Sequence, residues 1–217
     1  MSELTALVIG ATGATGSALV TQLLVDSRFN SVVVFSRRAV SISDPKLTCH
    51  IVDFDNPQLW AHLVKGDVLF SALATTLKQA GSQKEQYKID YTYQYQTAET
   101  AVANGVESYV LVSAVGANEN SMLFYPRIKG QLDKAAGALP FKQIHIFRPG
   151  FLLRQPDKIR PMEKIGIAIV NGLNNIGLLK SQKPLPVEVL AQKMISVLFK
   201  PAASHFQVYS LDAIFDL

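Results

Sequence analysis

The sequence predicts an α/β fold: a doubly wound, mostly parallel sheet with a small C-terminal lobe above the strand ends. Three observations carry this expectation. Short apolar runs alternate with longer stretches of helical spacing, the mark of successive βαβ units. The strand runs are almost continuously apolar, as in Leu4-Thr5-Ala6-Leu7-Val8-Ile9, which suits a sheet covered by helices on both faces. A glycine-rich turn at Gly10, Gly13 and Gly16 stands between the first strand and the first helix.

In chain order the predicted strands are Leu4–Ile9, Val32–Ser36, Leu47–Val52, Val68–Ala72, Ser108–Ser113, Gln143–Arg148 and Gln207–Ser210. Helices are expected at Thr15–Val25, Pro57–Leu63, Gln83–Ala103, Pro126–Ala136, Met162–Leu173 and Val187–Phe199. The longest of these carries Tyr91, Tyr95, Ala98 and Val102 at i, i+4, i+7 and i+11, one helical face. Pro149, Pro156, Pro161, Pro184 and Pro186 punctuate the last third. There the segment 150–217 is expected to build the substrate-facing lobe of a single 217-residue domain.

With 48% hydrophobic and 18% charged residues, the chain has enough apolar material for a sizeable core and does not read as disordered. The net charge of +4 comes from scattered cations, which argues against a nucleic-acid face. No apolar run is long enough for a signal-peptide core or a membrane span. Cys49 is the only cysteine, so no intrachain disulfide can form and a reducing compartment is expected. Together these predict a soluble, cytoplasmic protein. His50, His62, His145 and His205 are widely spaced and show no metal-ligand pattern.

The turn Gly10-Ala11-Thr12-Gly13-Ala14-Thr15-Gly16 has the context a phosphate cradle needs. Small residues permit a tight turn and close backbone approach, and the following helix points its N-terminal N–H groups at a pyrophosphate. A carboxylate at the second strand end usually binds the adenosine ribose of NAD. Here Ser36-Arg37-Arg38 occupies that end, and guanidiniums match the geometry and charge of a 2′-phosphate. The expected cofactor is therefore NADP(H). Asp53, after the third strand, stands where a carboxylate would accept from the adenine amino group; capping of the Pro57 helix by this acidic cluster, through Asp55 or Asn56, is the rival reading. Ser71 to Thr76 offers small side chains where backbone would pass close to the cofactor.

Tyr125 and Lys129 form a YxxxK pair, which places phenol and ammonium on one helical face. Alone, that pair most often means a solvated Tyr and Lys. Its placement after the fifth strand gives it chemical weight. A tyrosine of ordinary pKa ~10 is a poor acid or base at neutral pH, and a neighbouring cation is expected to draw it down. Pro126 suits the first helical position and would put Tyr125 at the helix start. Ser113 ends the fifth strand, where a hydroxyl can orient a substrate oxygen against Tyr125.

In this order, with Arg148-Pro149-Gly150 following, these residues resemble the atypical short-chain dehydrogenase/reductases of the NAD(P)-binding Rossmann superfamily. The likeness is greatest to the Tat-interactive oxidoreductase-like family and spans nearly the whole chain. It rests on Ser36-Arg37-Arg38, Val52-Asp53-Phe54, Tyr125-x-x-x-Lys129-Gly130 and Phe147-Arg148-Pro149-Gly150-x-Leu152-Leu153. The resemblance implies NADPH held by residues matching Gly10, Ala11, Thr12, Gly13, Ala14, Thr15, Gly16, Arg37, Arg38, Leu73, Ala74, Tyr125, Lys129, Leu152 and Arg160. It also implies a small carbonyl or alcohol substrate, Tyr125 as proton donor or acceptor, and a homodimer as one assembly. Ala74 stands where such relatives have glycine, and Asp90 where many have the asparagine of a proton relay. A regulatory NADP(H)-binding module with little turnover is the alternative function. The Tyr87, Tyr91, Tyr95 stripe reads first as core packing and second as a helix-mediated dimer face.

Overall fold

The computed structural model describes residues 3–153, 184–201 and 204–217. The predicted helix at Met162–Leu173 lies outside them. In chain order the strands are β1 (Leu4–Ile9), β2 (Phe29–Ser36), β3 (Leu47–Ile51), β4 (Val68–Ser71), β5 (Ser108–Val112), β6 (Gln143–Arg148), β7 (Leu152–Leu153), β8 (Leu185–Pro186) and β9 (Phe206–Ser210). Seven of them form one sheet in the order β3-β2-β1-β4-β5-β6-β9, and every neighbouring pair is parallel. The chain thus runs outward from β1 to one edge and then returns to fill the other. That reversal opens a crevice between β1 and β4 at the carboxyl ends of the strands, where such sheets bind ligands. The short β7 and β8 pair with each other beside it.

Alternation along the strands builds two cores. Ala6 and Val8 of β1 pack on one face with Leu19 and Leu23 of α1 (Ala14–Val25) and Leu190 and Met194 of a later helix, Val187–Ser196. Leu7 and Ile9 pack on the other with Ala98 and Leu132. Successive side chains of a strand point to opposite faces, so only near-continuous apolar runs can serve both cores.

Several elements differ from their predicted bounds for identifiable reasons. β2 starts at Phe29, because the register slips between Leu4 and Thr5 and so admits the polar pair Asn30-Ser31 into a strand. The predicted Pro57–Leu63 helix is two 3₁₀ turns, Pro57–Leu59 and Ala61–Leu63. Asn104 Nδ2 donates to the carbonyls of Ala61 (2.7 Å) and Val64 (2.9 Å), and Trp60 Nε1 to that of Asp53 (2.9 Å). These side chains replace the helical ladder. A short helix not read from sequence, α2 (Leu77–Ala80), is capped by Thr76 Oγ1.

The predicted long helix is α3 (Gln83–Tyr87), a π turn (Lys88–Thr92) and α4 (Tyr93–Ala103) in succession. Along it the rings of Tyr87, Tyr91 and Tyr95 stack at 4.9 and 5.9 Å, half-buried. Helix α5 (Phe124–Gly137) begins two residues early, so Pro126 is its third residue and not its first. Proline is tolerated there because a first-turn N–H has no intrahelical acceptor. Among the described residues the remaining helices are α6 (Val187–Ser196) and α7 (Asp212–Phe215).

Candidate functional site

The glycine turn is packed so closely that its composition is dictated. Gly13 N–H donates to Gly10 O at 2.9 Å, closing the turn. Gly10 has φ +85°, and a Cβ there would lie 2.4 Å from the carbonyl carbon of Ala72, just past β4. A Cβ on Gly16 would lie 2.2 Å from Gly10 O. Gly13 caps α1 without a side-chain hydrogen bond, so the helix N-terminus faces the crevice with backbone donors only. Beside it opens a cavity of about 610 Å³ lined by Ala11, Thr12, Gly13 and Ala14 and extending to Arg38. Thr15 and Gly16 are buried inside α1. Among the described residues neither Arg37 nor Arg38 forms an ion pair. Both are exposed, but only Arg38 lines the cavity. This arrangement fits a dinucleotide: uncapped N–H groups for a pyrophosphate, and a guanidinium for an adjoining phosphate.

The other predicted cofactor residues are placed less uniformly. Asp53 is exposed, and its carboxylate accepts from Asp55 N–H (2.9 Å) and Asn56 Nδ2 (2.7 Å). It therefore shapes its own turn, while Asn56 occupies the cap position ahead of Pro57 without a side-chain bond. The Ala72–Leu73 backbone lies over Gly10, and Ala74 follows it, exposed. Leu152 sits partly buried on β7 opposite Leu185. Arg160 lies outside the described residues.

Helix α5 carries the chemical face. Tyr125, Lys129 and Asp133 follow at intervals of four residues, so one stripe runs from solvent into the core. Tyr125 is 39% exposed, whereas Lys129 is 1% and Asp133 3% exposed. Lys129 Nζ donates to the Val112 carbonyl at 3.4 Å. Burial pulls the Lys129 ammonium below its ordinary pKa, and the carboxylates of Asp90 and Asp133 oppose that pull. The Tyr125 phenol is pushed up to about 12, by desolvation first and by the Asp90 carboxylate second. The expectation that Lys129 draws this phenol down is corrected: the ammonium is turned inward to Val112, and the charge that acts on Tyr125 is that of Asp90.

Asp90 is fully buried in the π turn, a helical irregularity that often marks functional positions. Its Oδ1 accepts from Thr75 N–H at 2.8 Å and its Oδ2 from Gln86 Nε2 at 3.3 Å. Burial raises its pKa, and Lys129 is the largest opposing influence. Behind it, Gln94 Nε2 donates to the Asp90 carbonyl and Ser71 Oγ donates to Gln94 Oε1, both at 2.7 Å. Ser113 is buried: its hydroxyl has no hydrogen-bond partner among the described residues and lies near the Asp133 carboxyl, outside good hydrogen-bond geometry. Asp133 Oδ2 accepts from Arg148 Nε, at the end of β6, at 2.8 Å. Sequence reasoning did not single out Asp133 or the side chain of Arg148. Continuing the i, i+4 stripe beyond Lys129 would have found the first.

A strand–glycine turn–helix cradle at the switch point of a parallel sheet, facing a Tyr–Lys stripe, defines a Rossmann-type nucleotide-binding protein. Residues 10–138 match a family model described as NAD(P)H-binding. The chain is 40% identical over 157 residues to the protein FMP52, mitochondrial, of Candida glabrata, covering 70% of this chain and 66% of that relative. It thus spans just under two thirds of that relative's length. It is 28% identical to the rat protein HTATIP2, covering 100% of this chain and 90% of the relative. A solved oxidoreductase of the short-chain dehydrogenase/reductase family from Burkholderia thailandensis superposes with a TM-score of 0.73 at 17% identity, covering 98% of this chain and 92% of that one. That last likeness speaks to the fold. The chain belongs to the NAD(P)H-binding family, among the atypical short-chain dehydrogenase/reductases.

The predicted cytoplasmic location is overturned by the same comparison, since the FMP52 relatives are named as mitochondrial proteins. A single cysteine reports on disulfide chemistry and does not distinguish one reducing compartment from another. Among the described residues no helix is long and apolar enough to cross a membrane.

Proposed function

We propose that this chain is an NADP(H)-dependent oxidoreductase interconverting a carbonyl and an alcohol, with Tyr125, Lys129 and Ser113 as its catalytic set and mitochondria as its setting. One observation carries the proposal: contacts lead from the glycine turn to Asp90, whose charge reaches the Tyr–Lys stripe. Gly10 lies against Ala72–Leu73, Thr75 of the same segment is held by Asp90, and the Asp90 charge acts on both Lys129 and Tyr125. The loop after β4 thereby lies between the cofactor cradle and the helix that carries the proton-transfer group.

A bound nicotinamide supplies or takes the hydride at the substrate carbon. Tyr125 moves the proton at the substrate oxygen. A phenol pushed up to about 12 is protonated throughout the physiological range, so it holds the proton that carbonyl reduction consumes, although the shift also makes it a weaker acid than an ordinary tyrosine. Lys129 provides a buried positive charge below it. Arg38, with Arg37 beside it, selects a 2′-phosphate. Asp53, Leu73, Ala74, Leu152 and Arg160 complete the cofactor site.

Calorimetric titration with NADPH and NADH, for the wild type and for Arg37→Ala/Arg38→Ala, tests the cofactor assignment. NADPH preference should collapse in the double variant; equal binding of both cofactors by the wild type counts against it. For the chemistry, Tyr125→Phe should lower turnover of a carbonyl panel by about 10²-fold or more while cofactor binding persists. The burial of Ser113 favours a second reading, an NADP(H)-binding sensor with little turnover. In that case partner capture depends on NADPH and is indifferent to Tyr125→Phe.

A further inference from the structure

Beneath Tyr125 lies a charge cluster that the functional reading above uses only in part. Lys129 is sealed from solvent, and its ammonium has one hydrogen bond among the described residues, the long one to Val112 O. A buried ammonium so poorly solvated should lose its proton unless nearby negative charge replaces the missing water. Two carboxylates are near enough to act on it: Asp90 from the π turn and Asp133 one turn further along α5. Neither hydrogen-bonds it, so both act through space. Around them stand Tyr125 on α5, Tyr109 and Ser113 on β5 and its end, and Arg148 on β6.

The two acids are held differently. Asp90 is anchored to a backbone N–H and an amide. Asp133 Oδ2 accepts from Arg148, while Oδ1 is buried without a hydrogen-bond partner among the described residues, the Ser113 hydroxyl lying nearby. An unpartnered carboxylate oxygen in the interior is costly and calls for a reason. Lys129 and Arg148 against Asp90 and Asp133 make the cluster electrically neutral, and a buried cation needs that compensation.

We propose that Asp133, pinned by Arg148, is a positioning residue for Lys129: it supplies the second buried negative charge that keeps the ammonium charged and directed at the Val112 carbonyl. This rests on the role given to Lys129 above. Asp90 acts on Lys129 and Tyr125 together, whereas Asp133 acts on Lys129 and on the buried Tyr109.

The test is NMR titration of the full chain, with ¹⁵N-labelled lysine and ¹³C-labelled tyrosine and with signals assigned by Lys129→Met and Tyr125→Phe. In Asp133→Asn the Lys129 midpoint should move to lower pH, with Tyr125 unmoved. In Asp90→Asn both should move down. Asp133→Glu should restore the Lys129 midpoint. Asp133→Asn leaves Arg148 stranded and can fail to fold, so Asp133→Asn/Arg148→Met is measured beside it; removing both charges of a buried pair is far better tolerated than removing one. The double variant should still lower the Lys129 midpoint, because Asp133 acts on it more strongly than Arg148. A Lys129 midpoint that stays in place in a folded variant lacking Asp133, with only thermal stability lowered, overturns the proposal. Failure of the functional reading would appear elsewhere, as Tyr125→Phe turnover equal to wild type.

Discussion

Replacing Gly10 by alanine is the most direct probe of the crevice, because two separable costs meet there. The residue sits at φ +85°, where an L side chain is strained by about 1–2 kcal/mol. The new methyl would also lie 2.4 Å from Ala72 C and 2.5 Å from both Ala72 O and Leu73 N, all backbone atoms. Relieving that overlap means pushing the loop after β4 off the glycine turn, and overpacking of this kind costs about 1–3 kcal/mol. The total, about 2–5 kcal/mol, is a large share of the roughly 5–15 kcal/mol that holds a domain folded. Gly81→Ala supplies the control: its φ is +84°, with nothing within 4 Å of the position a methyl would take, so it carries the conformational cost alone. Urea unfolding of both variants should show Gly10→Ala less stable than Gly81→Ala by the steric share, with NADPH affinity lowered only in the former. Equal midpoints would refute the claim that the backbone following β4 is seated on Gly10.

Other expectations follow from single contacts. Arg38→Ala should weaken NADPH binding by about 1.5–3 kcal/mol in calorimetry, more than Arg37→Ala and with little effect on NADH, since only Arg38 lines the cavity. His145 is buried, with Nδ1 3.0 Å from Tyr209 Oη and Nε2 unpartnered, and burial lowers its pKa to about 4. The unfolded chain therefore takes up this proton first, and stability is lost as pH falls from about 6.5 toward 4, by about 3 kcal/mol in all. Unfolding at pH 7.5 and pH 5 should show about 2 kcal/mol of that loss, and His145→Asn should remove it. Asn104→Ala frees the carbonyls of Ala61 and Val64 and should cost about 1–2 kcal/mol in thermal unfolding, without changing cofactor affinity.

What could be read from sequence was whatever one face or one turn decides. β1 and β6 have the bounds their apolar runs predict because both of their faces are buried. The glycine spacing was legible because steric exclusion leaves no other residue at Gly10 or Gly16. Asn30 and Ser31 concealed the start of β2, where the register slip relaxes the alternation a strand normally shows. The two 3₁₀ turns depend on Asn104, a residue distant in sequence, and no local propensity contains that information. The π turn was hidden too, since the pattern across Gln83–Ala103 is helical on either side of it.

Within the site, spacing established which residues share a face and left their electrostatics open. The interval from Tyr125 to Lys129 says that phenol and ammonium are neighbours, and from that alone the phenol should be acidified. Desolvation of the phenol, and after it the approach of Asp90 from another helix, reverse the sign, while the Lys129 ammonium is turned to Val112 O. Asp90→Asn separates these contributions. An asparagine Oδ1 can still accept from Thr75 N–H, so the loop keeps its backbone anchor, while Nδ2 replaces the oxygen that accepts from Gln86 and that weaker bond is given up. Removing the charge lowers the Tyr125 pKa, but desolvation, the larger cause, stays and holds it above the ordinary value. Ultraviolet difference titration against Tyr125→Phe reads this single phenol. A midpoint that falls but remains above ~10 supports the account. A midpoint that is unchanged would mean that Asp90 does not act on the phenol, and that the glycine turn is linked through Asp90 to Lys129 but not to Tyr125.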